Sequence, residues 1–485
     1  MGHNLKEKVM SGLIWTFGER ILAQVFSFVI SIVIARILMP EEYGVIAIIL
    51  VFINLANVFV TNGFGESLVR KTDSNESDFS TVFYCSFAFS IILYIVLFFA
   101  SPFIASFYSQ ESLIPLLRVL ALKLPIAAVN TIQHAYVSKH MIFKRFFFSS
   151  LGGTLASGAA GLFMAYSGFG AWALVAQYLV DTFVDTIVLF FTIPWKPKLL
   201  FDRNAAKTLI GYGWKLTASS FLNMLYSELR SLIIGRLYSS SDLAYYNRGN
   251  QFPSLIITNI DSTIGTVVFP AMTKVADEKA RLKQVSRRAL RTTSYLIFPL
   301  MIGLFVVAEP LVKFLLTEKW LFCVPFLQCS CIYYMCQPIQ TTNWQIIKAV
   351  GRSDLCLKLE IIKKTIGVAI IIISMNYGVL YIAIGNALFA VISMIINVIP
   401  NRNLIGYSAW QQIKDLFPAL SLSCIMGISV YFITLFELPV LVELVLQVIT
   451  GGVVYLILSW LFKLDSFMYL VNIAKSFIKS RGDKT

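Results

Sequence analysis

Long apolar runs are the feature that most limits how this chain can fold. We count fourteen of them, and each is long enough to cross a hydrocarbon core of about 30 Å. Of the 485 residues, 57% are hydrophobic and 14% charged, whereas soluble domains carry about 25% charge. The sequence therefore predicts an all-α polytopic membrane protein with fourteen transmembrane spans. The runs, numbered as spans 1 to 14, begin near Leu13, Gly44, Thr81, Leu113, Ser149, Ala171, Thr208, Gln251, Thr292, Leu321, Leu359, Val379, Ile413 and Val440.

Basic residues predict the orientation of these spans. Of the 40 Lys and Arg residues, 28 fall in alternate connecting segments and the tails, whereas the opposite segments hold only Arg248 and Lys319. Because Lys and Arg are retained on the cytoplasmic side, both termini are expected in the cytoplasm. The net charge of +14 is scattered over short loops, which indicates attraction to anionic lipid and no nucleic-acid partner.

The cysteines do not indicate a cofactor. All seven lie apart from one another or inside apolar runs, without a CxxC pair or a Cys/His cluster. Buried cysteine behaves as a small hydrophobic residue. We therefore expect no metal, no cofactor and no catalytic residues.

Two parts of the chain repeat the same pattern. The residues Ile34-Ala35-Arg36-Ile37-Leu38 are matched by Ile234-Gly235-Arg236-Leu237-Tyr238, and the acidic Glu42 is matched by Asp242. Spans 1–6 and 7–12 are therefore predicted to form two pseudo-symmetric six-helix lobes, with two extra C-terminal helices. We place the lobes at 1–200 and 201–405, and spans 13 and 14 with a basic cytoplasmic tail at 406–485. Repeats of this kind occur in transporters that work by alternating access.

Polar residues recur on single faces of several spans. Polar groups inside a bilayer cost free energy, so they normally face protein or a water-filled cavity. The stripes predict a cavity walled by spans 1, 2, 7 and 8, with spans 4 and 10 beside it. The residues are Thr16, Arg20, Gln24, Ser27 and Ser31 in span 1; Asn54, Asn57 and Thr61 in span 2; Lys123, Asn130, His134 and Ser138 in span 4; Lys215, Ser219, Asn223, Tyr226 and Arg230 in span 7; Ser254, Thr258 and Asp261 in span 8; and Gln337, Gln340, Thr341 and Trp344 in span 10.

Four intramembrane cations indicate an anionic ligand, because guanidinium and ammonium groups form charge-assisted hydrogen bonds with anions. The candidate substrate-binding residues are Arg20, Lys123, Lys215, Arg230, Gln24, Asn54, Asn57 and Asn223. The alternative is that the cations form buried ion pairs with Glu19, Glu66, Glu228 or Asp261.

Acidic residues in the spans leave two interpretations open. Asp181 and Asp185 are one helical turn apart in span 6, so their charges repel. They could couple transport to a proton or pair with basic residues at the cytoplasmic end. We therefore treat Glu19, Asp261, Asp181 and Asp185 as candidates for ion coupling or cavity ion pairs.

Several longer motifs, taken together, resemble a known family. In chain order they read IARILMPEEYGVIAI, VTNGFGESLVRK, HAYVSKHMIFKRF, SGFGAWALV, DLAYYNRGNQFPSL, VVFPAMTKVADEKARL and LVKFLLTEKWLFCVPFLQ. Their order and spacing resemble the Wzx-type polysaccharide flippases, in the branch that contains the colanic acid exporter. These flippases belong to the multidrug/oligosaccharidyl-lipid/polysaccharide exporter superfamily. The resemblance covers about residues 10 to 400; one departure is Thr317, where the family more often has glycine.

The resemblance implies a function. Such proteins move undecaprenyl-diphosphate-linked oligosaccharide repeat units across the bacterial inner membrane for lipopolysaccharide or other surface polysaccharide biosynthesis. They use alternating access and a cationic central cavity, to which Arg20, Lys123, Lys215 and Arg230 would correspond. The implied partners are the lipid-linked glycan, the bilayer, and polysaccharide polymerase and chain-length machinery, and the protein is expected to be a monomer.

Two other functions compete with this one. A multidrug or small-metabolite antiporter of the same superfamily would usually have twelve spans and an acidic cavity. A polytopic polysaccharide polymerase or ligase would need a sizeable outer loop with catalytic groups, and the longest predicted outer loop, about residues 239 to 250, is short.

Overall fold

A computed structural model describes residues 22–61, 68, 75–140, 142 and 144–472, although the side chains of a few of these, including Lys215, are not described. Within these ranges the ordered elements are helices. Ten of the helices are long and apolar enough to cross a membrane. The chain is therefore a multi-pass, all-helical membrane protein.

The helices form two compact units, Met1–Ala244 and Tyr245–Thr485. In the first unit the described helices are α1 (Leu22–Ile37), α2 (Pro40–Thr61), α3 (Glu76–Tyr108), α4 (Leu113–Leu120), α5 (Lys123–His140), α6 (Lys144–Tyr166), α7 (Trp172–Thr192) and α8 (Arg203–Leu237), followed by the start of α9 (Ser240–Thr263). Within this unit α2 packs on α8, α5 packs on α7, and α6 packs along α7.

The second unit continues from α9 through a π-helical turn, Ile264–Val268, into further helices. They are α10 (Phe269–Thr273), α11 (Lys279–Val306), α12 (Ala308–Leu316), a 3₁₀ segment (Glu318–Cys323), α13 (Val324–Met335), α14 (Gln337–Ala349), α15 (Ser353–Ser374), α16 (Val379–Val398), α17 (Asn401–Ile405), α18 (Ala409–Thr434), α19 (Val440–Leu461) and α20 (465–472). Here α11 packs on α18, and α18 packs on α19.

The predicted spans 7, 10 and 11 coincide with helices that do not rank among the ten apolar ones. The described part of span 1, α1, is also shorter than those ten. Span 7 corresponds to α8, whose polar stripe lowers its hydropathy, and span 10 is divided at Cys336 into α13 and α14. The number fourteen therefore stays a prediction, whereas the polytopic helical fold is confirmed.

The repeated acidic turn begins a helix in both of its copies. Glu42 and Asp242 occupy the third position of α2 and α9, and each carboxylate accepts a hydrogen bond from the backbone N–H of the residue before the helix. The N–H of Met39 donates to Glu42 Oε2 at 2.7 Å and that of Ser239 donates to Asp242 Oδ2 at 3.1 Å. Such bonds satisfy N–H groups that a helix start leaves free. The prediction of a loop at 239 to 250 is therefore wrong, since this cap starts α9 at Ser240.

Small residues let α6 and α7 approach closely. A Cβ placed on Gly153 would lie 2.9 Å from the backbone oxygen of Asp181, and one on Gly161 would lie 3.2 Å from Gln177 Cβ. Gly153, Ser157 and Gly161 recur at intervals of four, and small residues at this spacing are common where membrane helices pack closely. This contact brings the carboxylates of α7 next to the polar residues of α6.

Aromatic side chains remain exposed on the outer faces of the helices. Phe103, Phe163 and Phe191 are each more than 70% exposed. A water-soluble protein rarely leaves so many apolar groups uncovered, whereas lipid is an apolar solvent for them. The exposed rings agree with a membrane location.

Candidate functional site

The polar stripe of span 2 contacts a carboxylate of α8 within the first unit. The Asn54 side-chain amide on α2 donates to the Glu228 carboxylate on α8 at 3.2 Å. One turn further along α2, the side-chain oxygen of Asn57 is buried and accepts no hydrogen bond from the described residues. Because α2 packs along α8, the polar face predicted for span 2 lies against α8 at Glu228, a residue outside the stripe predicted for span 7.

The carboxylate of Asp185 on α7 lies at the centre of a second polar cluster. It accepts a hydrogen bond from Asn130 Nδ2 on α5 at 2.7 Å, and His134 Nε2 lies 3.1 Å from the same oxygen. The His134 ring is stacked on Phe146 with the ring centroids 4.6 Å apart. An imidazole in contact with a mostly buried carboxylate can share or pass on a proton.

Asp181 lies one turn before Asp185 and extends this cluster toward Lys123. Ser157 Oγ on α6 donates to Asp181 Oδ1 at 3.5 Å, and Lys123 interacts electrostatically with Asp181. The ammonium of Lys123 also lies 5.3 Å from the centre of the Tyr178 ring. The striped span 4 and the two carboxylates of span 6 therefore join one charged network, to which Ser157 in span 5 also contributes.

Asp261 belongs to a separate polar contact in the second unit. Its carboxylate accepts a hydrogen bond from Thr341 Oγ1 on α14 at 3.0 Å and a further one from Gln337. The contact joins the polar faces predicted for spans 8 and 10.

The remaining predicted site residues divide between described and undescribed positions. Arg20 and Glu19 lie outside the described residues, as does the alternative partner Glu66, and the side chain of Lys215 is not described either. On α8, the Arg230 guanidinium lies 5.9 Å from the centre of the Tyr226 ring, and Asn223 is exposed. Gln24 on α1 is half-buried.

Sequence reasoning missed a charged network at one end of the second unit. The side chain of Asp415 on α18 is only 2% exposed and binds two arginines of α11. Arg287 binds it through Nε and Nη2 at 2.7 and 2.6 Å, and Arg291 donates to it from Nη2. The available signal was a carboxylate, Asp415, at the start of the apolar span 13. Arg287 and Arg291 precede the predicted start of span 9 near Thr292, whereas α11 begins at Lys279 and includes both.

Tyr407 completes this network. Its hydroxyl donates to Asp415 Oδ2 at 2.7 Å. Burial, followed by the hydrogen bond to Asp415, raises the pKa of the Tyr407 phenol above its ordinary value, so the phenol remains a hydrogen-bond donor.

Within the described ranges, no three His, Cys, Asp or Glu side chains converge on a point that could hold a metal ion. The charged clusters consist instead of carboxylates paired with His, Lys or Arg. Such pairs can bind an anion or move a proton.

Comparison with known families identifies the chain. A family described as "Polysaccharide biosynthesis protein" matches residues 33–325, which is more than half of the sequence. The chain belongs to this family. The predicted resemblance to polysaccharide flippases is thereby confirmed.

Two of the three relatives named here match nearly the whole of this family member. The teichuronic acid biosynthesis protein TuaB of Bacillus subtilis is 24% identical over 478 residues, 94% of this chain and 96% of TuaB. The lipopolysaccharide biosynthesis protein WzxC of Escherichia coli is 24% identical over 88% of this chain and 89% of WzxC. The succinoglycan biosynthesis transport protein ExoT of Rhizobium meliloti is 26% identical over 62% and 61%.

Solved structures define the fold of this family member. The lipid II flippase MurJ, in an inward closed conformation, matches 93% of this chain and 98% of its own with a TM-score of 0.72 and 17% identity. An inward-facing multidrug transporter of the MATE family matches 80% of this chain with a TM-score of 0.61 and 15% identity. Those matched proteins whose names state an activity are transport proteins. This agrees with the prediction that the chain is not an enzyme.

Proposed function

We propose that this protein carries lipid-linked oligosaccharide repeat units, joined to undecaprenyl diphosphate, across the bacterial inner membrane for surface polysaccharide biosynthesis. The observation that supports it most is the MurJ-like fold over 93% of the chain, in a member of a polysaccharide biosynthesis family. MurJ is named as a flippase of lipid II, and ExoT is named as a transport protein.

The proposed machinery has fourteen spans. Two six-helix lobes, 1–200 and 201–405, would expose a shared site to each face in turn, and residues 406–485 would add spans 13 and 14 and a basic tail. Both termini would lie in the cytoplasm, as the 28 basic residues of the alternate segments favour. The proposed partners are the lipid-linked glycan, the bilayer, and polysaccharide polymerase and chain-length machinery, for a protein that acts as a monomer.

The proposed site residues form two groups, and each group would bind a different part of the substrate. Arg20, Lys123, Lys215 and Arg230 would hold the diphosphate through charge-assisted hydrogen bonds. The amides Gln24, Asn54, Asn57 and Asn223 would hydrogen-bond the sugar hydroxyls. The hydrogen bond from the Asn54 amide to the Glu228 carboxylate supports this. It places one amide of the proposed set in a polar environment.

The test of this proposal is a double substitution, Arg20→Ala with Arg230→Ala. We expect it to abolish surface polysaccharide while the protein remains in the membrane, since two of four anion-binding groups are lost. Polysaccharide is measured on the cell surface and the protein by immunoblot of membranes. The matched control is Arg352→Ala, which removes an exposed arginine paired with Asp354 and should leave polymer unchanged. Normal polymer in the double variant would refute the anion site.

We further infer that Asp181 and Asp185 couple transport to a cation, most simply a proton. The contact of Asp185 with His134 and the electrostatic interaction of Asp181 with Lys123 support it, because protonating either carboxylate would change its pairing across α5 and α7. Glu19 and Asp261 would tune the charge of the cavity by ion pairing.

Asp185→Asn tests this coupling. In reconstituted vesicles, a proton gradient should accelerate transport by the native protein and have no effect on the variant, since an amide cannot exchange the proton. Glu111→Gln removes an exposed carboxylate between α3 and α4 and serves as the control, which should keep its response. A variant at Asp185 that still responds to the gradient would exclude this role.

A further inference from the structure

A basic cleft lies at the N-terminal end of α11, beside α20. Its volume is about 530 Å³, and Lys283, Arg287, Arg288 and Arg291 line it together with Asp465. We propose that this cleft binds the phosphate group of a membrane lipid. The proposal does not depend on which substrate the protein transports.

The cations of the cleft are held in place. Arg287 and Arg291 are fixed by the buried Asp415, and Lys283 Nζ donates to the backbone oxygen of Gly406 at 2.6 Å. Guanidinium groups fixed in advance lose less conformational entropy when they bind a phosphate. The four cations exceed the two carboxylates, Asp415 and Asp465, by two charges, so the cleft favours an anion.

Arg288 lines the cleft on the side that faces α20. Its guanidinium lies 4.6 Å from the centre of the Tyr469 ring on α20, and no carboxylate is within salt-bridge distance of it among the described residues. The arginine is therefore oriented by an aromatic face rather than by an acid. Its hydrogen-bond donors remain available to a ligand, as phosphate recognition requires.

An apolar groove continues from the cleft and explains why the ligand should be a lipid. The groove has a volume of about 600 Å³ and shares Gln284, Arg288, Thr292 and Tyr469 with the cleft. Beyond the shared residues it is lined largely by apolar side chains from α9, the π-helical turn and α11, such as Ile260, Val267 and Leu296. A phosphate in the cleft would thus place an attached hydrocarbon chain in the groove.

The same chemistry could come from two lipids, an anionic phospholipid or a polyprenyl phosphate. Both carry a phosphate on a hydrocarbon chain, and the experiment distinguishes them. The purified full-length protein in detergent is titrated with phosphatidylglycerol, with undecaprenyl phosphate, with phosphatidylcholine or with inorganic phosphate. Bound lipid is counted by native mass spectrometry.

Three variants at the cleft and one control elsewhere test the proposal. Arg288→Ala removes one cation, and Ala280→Glu adds a carboxylate at an exposed lining position without disturbing the contacts of Arg288. Each should weaken binding of the anionic lipid roughly fivefold, the worth of one basic residue near an anionic lipid surface. Arg288→Lys should retain most of the binding. Lys358→Ala removes an exposed cation on α15, away from the cleft, and should have no effect.

The expected result is that phosphatidylglycerol, undecaprenyl phosphate or both bind more tightly than phosphatidylcholine and respond to Arg288→Ala and Ala280→Glu. Competition between the two anionic lipids then shows which one occupies the cleft. Equal binding to the native protein and both variants would overturn the proposal. Displacement of the lipid by millimolar inorganic phosphate alone would overturn the role of the apolar groove.

Discussion

Asp415 shows how a single buried charge is made tolerable in this protein. Its side chain is 2% exposed and accepts hydrogen bonds from Arg287, Arg291 and Tyr407. A buried carboxylate requires such partners, because desolvation of an ion costs several kcal/mol. The two arginine bonds tie α11 to α18, and Asp415 in turn orients these two arginines where they line the basic cleft.

We expect Asp415→Asn to destabilise the protein by about 1.5–3 kcal/mol, the cost of losing hydrogen bonds to charged groups. The matched control is Asp465→Asn. Asp465 also binds Arg291, at 2.8 Å, but its side chain is 84% exposed, so its loss should cost under about 1 kcal/mol. The temperature of unfolding in detergent is the measurement. Equal shifts in the two variants would contradict the account.

At the residue scale, the sequence revealed those charges that occur at helical intervals. Asp181 and Asp185 were recognised because they are one turn apart in an apolar run, and the structure places partners beside both. Asp415 was missed because its significance depends on arginines more than 120 residues away in the sequence. A polar stripe can be predicted from the sequence of one helix. A tertiary ion pair can be predicted only when it is known which helices pack together.

Helix packing between α6 and α7 depends on the absence of side chains at particular glycines. Two neighbouring glycines differ in their surroundings: a Cβ on Gly153 would lie 2.9 Å from the Asp181 backbone oxygen, whereas one on Gly152 would meet only Val188 Cγ2 at 3.9 Å. The first contact is with backbone, which cannot move aside cheaply.

The two alanine substitutions should therefore have opposite effects on stability. Gly152→Ala should stabilise α6 by up to about 1 kcal/mol, the intrinsic helix preference of alanine over glycine. Gly153→Ala should destabilise the protein, because the overpacked contact costs about 1–3 kcal/mol. Thermal unfolding of the two purified variants in detergent checks this. A Gly153→Ala protein as stable as the Gly152→Ala protein would mean that the helices can separate freely.

At the element scale, apolar periodicity predicted where the helices are, and local chemistry decided where they begin. The acidic turns were recognised as a repeat, but their role as helix caps became clear only from the bonds to Met39 N and Ser239 N. The same cap converts the predicted outer loop at 239 to 250 into the first turns of α9. Capping bonds are local, so Ser239 followed three residues later by Asp242 is a sequence signal for this helix start.

At the scale of the whole molecule, the chain has a MurJ-like fold. Its charged side chains include two clusters, one around Asp185 and one around Asp415. The predicted family and polytopic fold are confirmed by the match to residues 33–325 and the likeness to MurJ. We therefore propose two separate binding sites. The polar faces of the spans would bind the head group of the substrate, and the basic cleft at α11 would bind a lipid phosphate. The two roles are independent, so loss of one should leave the other measurable.

The most direct test of the central claim is transbilayer movement of the proposed substrate by the purified protein. Vesicles are loaded with a labelled oligosaccharide on undecaprenyl diphosphate, and a membrane-impermeant glycosidase reports how much of it reaches the outer leaflet. The account predicts that the protected pool becomes accessible rapidly in vesicles containing the protein, and that Arg20→Ala with Arg230→Ala restores the slow rate of empty vesicles. Movement no faster than in empty vesicles, with the native protein folded and inserted, would contradict it.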